Sequence, residues 1–225
     1  MRTTTHNSRT NAGGRVHGTR HNDRNFDVKK ADNINPEKVQ ENIYVHLFKD
    51  KNMTFEQAEL KFYEKVFGKQ LQQTNENYVR TGHPERCKTM EQWKQLRRYC
   101  PEETVFQIGK MEKHVSKEQL LAVYKDYSKK LGAWRKAHGM PFTLLTMALH
   151  ADEPGAEHIQ CRRVWHYQDK SGTWKVGQEK ALEAAGVPLP HPDKPEGRRN
   201  NRKMTFDAMT RAWWIECCYA VSHSS

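Results

Sequence analysis

The segment Phe142-Thr-Leu-Leu-Thr-Met-Ala-Leu149 constrains the fold more than any other. It is mostly apolar and eight residues long, short for a core helix and right for a central strand. After a polar turn, His158 to Tyr167 reads as a second strand. Ile43–Phe48 and Thr104–Gly109 are further β-rich runs, and Asp169-Lys-Ser-Gly172 reads as a hairpin turn into a strand over 173–176. Thr54 with Gln57, and Ser116 with Gln119, are capping boxes. The first precedes a helical stripe from Phe55 to Leu71, the second one from Leu120 to Trp134. Shorter helices are expected over 90–99 and 178–185, and a last amphipathic helix from Thr205 to about Tyr219. Four prolines among residues 188–195 exclude regular structure there. Two central strands joined by a turn, with helices on either side in sequence, predict an α+β fold.

Residues 1–33 lack apolar periodicity and are rich in Arg, His, Asn, Thr and Gly, so in isolation they read as a flexible basic arm. The expected organisation is the arm over 1–33, a folded domain over 34–210, and the end of the last helix over 211–225. Six Trp, eight Phe and eight Tyr supply a core that a disordered chain lacks. No run approaches the ~18–20 apolar residues of a membrane span. The five cysteines form no CxxC pair, which argues against a zinc ribbon. The first residues carry no apolar signal core, so a cytoplasmic location is expected. Lys and Arg outnumber Asp and Glu by 38 to 27, a formal charge of +11 that favours a polyanionic partner such as nucleic acid.

The chemistry concentrates in Leu149-His150-Ala-Asp152-Glu153-Pro-Gly-Ala-Glu-His158-Ile-Gln160. Residues i and i+2 of a strand share a face, so His158 and Gln160 project together while Ile159 turns to the core. A tight antiparallel return brings His150 beside them. Two imidazoles and an amide oxygen suit a divalent ion such as Mn²⁺ or Mg²⁺ and leave positions open for phosphate oxygens. Asp152 or Glu153, in the turn, can hydrogen-bond a ligand imidazole. With twelve histidines in the chain, chance pairing is the competing explanation.

His-x-Asp-Glu followed by His-apolar-His on a neighbouring strand is the metal signature of the Mob/Pre (MobV-type) plasmid mobilisation and recombination relaxases, within the HUH endonucleases, and residues 150–160 resemble it. Gln160 stands where the third His is usual, and the gap between His150 and His158 is one residue longer than the common pattern. A His-apolar-Gln form occurs among the viral replication initiators. Upstream, His21-Asn22-Asp-Arg24, Asp32-Asn33-Ile34-Asn35 and Glu41-Asn42 resemble the N-terminal motif of the same family.

The resemblance implies an HUH-type central antiparallel sheet flanked by helices. It also implies a DNA relaxase that nicks one strand at a plasmid or mobile-element transfer origin. His21 would be the nucleophile, with His6 and His17 as lesser candidates, and Glu153 a second catalytic group. His150, His158 and Gln160 would hold the ion, which polarises the scissile phosphodiester. Attack by the imidazole is covalent catalysis, reversible by the free 3′-OH. Arg20, Arg24, Arg162, Arg163, Arg198, Arg199, Arg202 and Lys203 are the expected DNA contacts. Trp165 and Trp174 are candidates to stack bases, or ordinary core aromatics. The partners implied are single-stranded transfer-origin DNA and conjugation coupling machinery. Relatives continue into a helical tail, whereas this chain stops at Ser225, which suggests a truncated product. The alternatives are a rolling-circle replication initiator and a non-catalytic DNA-binding remnant.

Overall fold

In the computed structural model, which describes residues 3–110 and 113–222, both central runs are strands. In chain order the elements are β1 (Thr3–Ser8), β2 (Ile43–His46), α1 (Phe55–Arg80), α2 (Met90–Lys94), β3 (Glu102–Lys110), β4 (Lys113–His114), α3 (Lys117–Ala137), β5 (Phe142–His150), β6 (His158–Gln168), β7 (Trp174–Val176), α4 (Gln178–Ala184) and α5 (Arg202–Ser222). The main sheet runs β1-β3-β6-β5-β2, every pairing antiparallel, with β4 hairpinned onto β3 and β7 onto β6. This is the expected α+β architecture. Both capping boxes are closed, Thr54 with Gln57 and Ser116 with Gln119. No helix among the described residues is long and apolar enough to cross a membrane. Residues 223–225 of the expected tail lie outside the described residues.

Strand alternation divides the interior in two. On one face Phe106, Leu149, Ile159 and Trp165 pack with α3, α4 and α5. On the other, Leu145, Val164 and Val176 pack under α1 and α2 against Phe67 and Trp93. A bulge between Leu144 and Thr146 resets the alternation of β5. Beyond it Ala148 and His150 share the α1 face with their partners Gln160 and His158, while Leu149 and Ile159 face the opposite core.

The leader differs from a structureless arm. Thr3–Ser8 is an edge strand on β3, and Thr19, Asn22 and Arg24 are buried. Polar anchors replace the missing apolar periodicity: Asn22 donates to Glu103 at 2.8 Å, and Asn7 donates to Asp207 of α5 at 2.9 Å.

Glu102 and Glu103 open β3 directly opposite Arg163 and Arg162 of β6. Being consecutive, they point to opposite faces, and each meets one arginine. Arg163 donates to Glu102 at 2.7 Å, and Trp165 Nε1 and Lys203 add bonds of 2.9 Å each. Arg162 bonds Glu59 of α1 at 2.6 Å and reaches Glu103 at 3.4 Å. Lys94 of α2 closes on Glu59 at 2.9 Å. All these charges are buried. The positive charges around Glu59 overcome the upward push of burial and hold its carboxyl low. Glu59→Ala would leave two buried cations without their carboxylate and should lower unfolding free energy by about 3–5 kcal/mol. Urea denaturation checks this, and a loss within about 0.5 kcal/mol, typical of a surface site, would contradict it.

Candidate active site

The cluster forms where the β5–β6 hairpin meets the leader. His150 and His158 are cross-strand partners, and His150 Nδ1 lies 3.3 Å from His158 Nε2. His150 Nε2 meets the Asn22 carbonyl at 2.9 Å, which assigns the ring hydrogen to Nε2 and leaves the Nδ1 lone pair facing His158. Burial pushes His150 down to about 4 and also lowers His158, so a proton is poorly held between the rings.

Glu153 sits at the centre. Its Oε1 lies 2.9 Å from His21 Nε2, 2.7 Å from an Arg24 amino group and 3.5 Å from His150 Nδ1, and its Oε2 lies 3.9 Å from His158 Nε2. Burial would raise this carboxyl, but hydrogen bonds from His21 and Arg24 and the nearby imidazoles hold it down to about 2. Donor atoms of His21, His150 and Glu153 all lie within 4.8 Å of one another. Gln160 is two residues from His158 on the same strand face, and its Oε1 is buried with no hydrogen-bond partner among the described residues. Two imidazoles, an ionised carboxylate and a spare amide oxygen fit a borderline divalent ion.

Arg24 fixes the leader to this centre. It donates twice to Asp152, at 2.9 and 2.7 Å, and once to Glu153, while Asn42 donates to Asp152 at 2.7 Å. Its backbone has φ 53°, costly for a residue with a side chain. The fork geometry of the guanidinium on two carboxylates offsets that cost.

The anticipated residues divide clearly. His21, His150, Glu153 and His158 converge, with Gln160 on the same strand face. Asp152 braces Arg24 and Asn42 and touches no imidazole of the cluster. His6 is exposed on β1 opposite Val105, and His17 lies 3.9 Å from Glu103. Arg20, Arg198 and Arg199 are exposed. Arg202 pairs with Glu183 and Glu196. Four expected DNA contacts must be corrected: Arg24, Arg162, Arg163 and Lys203 are buried in ion pairs, because strand alternation and the carboxylates of the interior draw them inward. Trp165 is core, and Trp174 packs partly buried beside α1. Sequence reading missed Glu59 and Glu103. The matched pairs Glu102-Glu103 and Arg162-Arg163 on two neighbouring strands were the available signal.

No family model and no curated protein matches the chain. Two solved structures of a Mob/Pre relaxase domain are similar to it. One is the MobM relaxase domain, Mn-bound at pH 6.8 with plasmid pMV158 oriT DNA carrying a 3′-thiophosphate. It is 17% identical, with a TM-score of 0.45 over 80% of this chain and 76% of that one. The other is the same domain with the 22-nucleotide oriT DNA at pH 5.5. It is 16% identical, with a TM-score of 0.42 over 82% of this chain and 85% of that one.

A histidine held below its unfolded value near 6.5 contributes stability that is full above pH 6.5 and lost as pH falls toward 4. With chelator present, His150 should contribute on the order of 3 kcal/mol by this route, at about 1.4 kcal/mol per pKa unit. The stability gap between wild type and His150→Gln should therefore shrink between pH 6.5 and 4 in urea unfolding. A gap independent of pH would contradict it.

Proposed function

We propose that this protein is a metal-assisted relaxase that cuts one DNA strand at a transfer origin of a plasmid or mobile element and holds the end covalently on a histidine. The observation that carries this reading is the convergence of three imidazoles on one ionised carboxylate, beside a buried amide oxygen that lacks a partner among the described residues. His150, His158 and Gln160 would hold Mn²⁺ or Mg²⁺, with Glu153 in reach. When bound, the ion supplies Lewis-acid polarisation of the scissile phosphate.

The remaining roles fall to the chain itself. An ionised carboxylate only accepts hydrogen bonds. Glu153 therefore takes the Nε2 hydrogen of His21, and the lone pair for attack is on Nδ1. As the Nδ1–P bond forms, the P–O3′ bond breaks, and the 3′-oxygen leaves with the bonding pair and takes a proton from solvent. The phosphorylated ring keeps its Nε2 hydrogen, and Glu153 stabilises its positive charge. His21 is partly exposed, with a side chain 43% accessible, so a phosphate can approach it. Arg20, Arg198 and Arg199 are the exposed cations available for the flanking backbone, alongside the overall charge of +11.

The second reading, a DNA-binding remnant without catalysis, is motivated by Gln160 in place of a third imidazole. A supercoiled plasmid carrying the transfer origin, incubated with Mn²⁺, separates the two. Nicking with a protein–DNA adduct is expected for wild type and His6→Ala, and no adduct for His21→Ala although that variant still binds Mn²⁺. An adduct that persists in His21→Ala would exclude His21. Binding without nicking in wild type would favour the remnant. Gln160→His should raise Mn²⁺ affinity in calorimetry, because imidazole is a better donor than an amide to such an ion. Unchanged affinity would remove Gln160 from the ligand set.

A further inference from the structure

The His150 ring is engaged on both of its nitrogens. Nε2 donates to the Asn22 carbonyl of the leader at 2.9 Å, and Nδ1 faces His158 Nε2 at 3.3 Å. The imidazole is buried, so its orientation is held. A cation on Nδ1 and a carbonyl on Nε2–H use different atoms and do not compete. They reinforce each other. The cation draws electron density through the ring and makes Nε2–H a stronger donor. The carbonyl that accepts this hydrogen makes Nδ1 a more basic ligand.

The accepting carbonyl belongs to the leader, not to the strands that carry His150 and His158. It sits one residue beyond His21. Two features fix it. The Asn22 side chain is buried and donates to Glu103 of β3 at 2.8 Å. The turn before it closes when the Asn22 backbone N–H donates to the Thr19 carbonyl at 2.8 Å. Asn22 therefore clips the leader to the sheet with its side chain and to the imidazole cluster with its carbonyl. The next residues add strain: Arg24 holds φ 53° while its guanidinium reaches Asp152 and Glu153. A segment with few apolar contacts and a strained turn opens locally unless its polar bonds are strong.

We propose that leader docking and metal binding are one coupled equilibrium, with Asn22 as the positioning residue that joins them. The docked leader raises the affinity of the cluster for the ion, and a held ion slows leader opening by the same factor. The inference rests on the metal-assisted reading and adds how the nucleophile is seated. Because His21 precedes Asn22, each opening of the leader carries His21 away from Glu153. The chain thus presents its nucleophile most firmly when the cluster is loaded.

Hydrogen exchange read by mass spectrometry, paired with calorimetry, tests this on the full-length protein. In wild type, amides of residues 19–26 should exchange about tenfold more slowly at saturating Mn²⁺ than with chelator, a coupling within the usual range. Amides of the last turn of α3, at the other end of β5 from His150, should be unchanged. Asn22→Ala removes the clip but keeps the carbonyl and every expected ligand. It should weaken Mn²⁺ binding about tenfold, as loss of a group behind a metal ligand does, and its leader exchange should no longer respond to Mn²⁺. Sheet and α3 amides that exchange as in wild type would show that the variant is folded. If Mn²⁺ binds wild type but leader exchange does not change, the coupling is wrong and the metal reading stands. The same holds if Asn22→Ala, folded, binds Mn²⁺ as tightly as wild type. If wild type binds no Mn²⁺, the metal reading fails and the coupling with it.

Discussion

Two adjacent carboxylates meeting two adjacent arginines across β3 and β6 hold the structure in register. Glu102 and Glu103 face Arg163 and Arg162, one pair on each side of the sheet. A slip of one residue would turn each charge toward the wrong core and leave it unpaired, at a cost of several kcal/mol per ion. The same register puts Gln107 opposite His158 and Val105 opposite Gln160. The face that carries His158 and Gln160 is therefore aligned by ion pairs beginning two residues further along the strand. Glu103 also accepts from Asn22, whose carbonyl receives the His150 ring hydrogen. One carboxylate thus links sheet register, leader position and the tautomer of a candidate ligand.

The leader is held by the polar groups it brings to the site. Asn22 reaches Glu103, Arg24 reaches Asp152 and Glu153, and Asp23 caps α1. With few apolar contacts, this segment depends on the charge state of its partners. Asp152 and Glu153 both stay ionised at neutral pH, because Arg24 and the other donors outweigh the push of burial. That arrangement keeps His21 beside Glu153 while leaving its ring open to solvent.

Much of the fold was legible in the sequence because its signals are local. The apolar run 142–149 and the two capping boxes each specify an element over a few residues, and i, i+2 alternation correctly placed Ile159 in the core opposite His158 and Gln160. Edge strand β1 was not legible: Thr3–Ser8 is polar, and its partner β3 lies about a hundred residues on. The arginines misled for a related reason. Arg162 and Arg163 look like a basic DNA-facing pair, and only the distant Glu59, Glu102 and Glu103 reveal them as interior. Sequence spacing showed that His150 and His158 would meet, but not that Glu153, rather than Asp152, would reach the imidazoles. That choice depends on the hairpin turn, which leaves Asp152 on Arg24 and Asn42 and brings Glu153 to His21 as well as Arg24.

The account turns on whether the facing imidazoles of His150 and His158 gather a cation. Anomalous diffraction from crystals of the protein soaked in Mn²⁺ tests this directly. The predicted result is a single strong peak bonded to His150 Nδ1 and His158 Nε2, with the Gln160 amide oxygen turned toward it. Rings still in van der Waals contact at saturating Mn²⁺, with no peak between them, would contradict it.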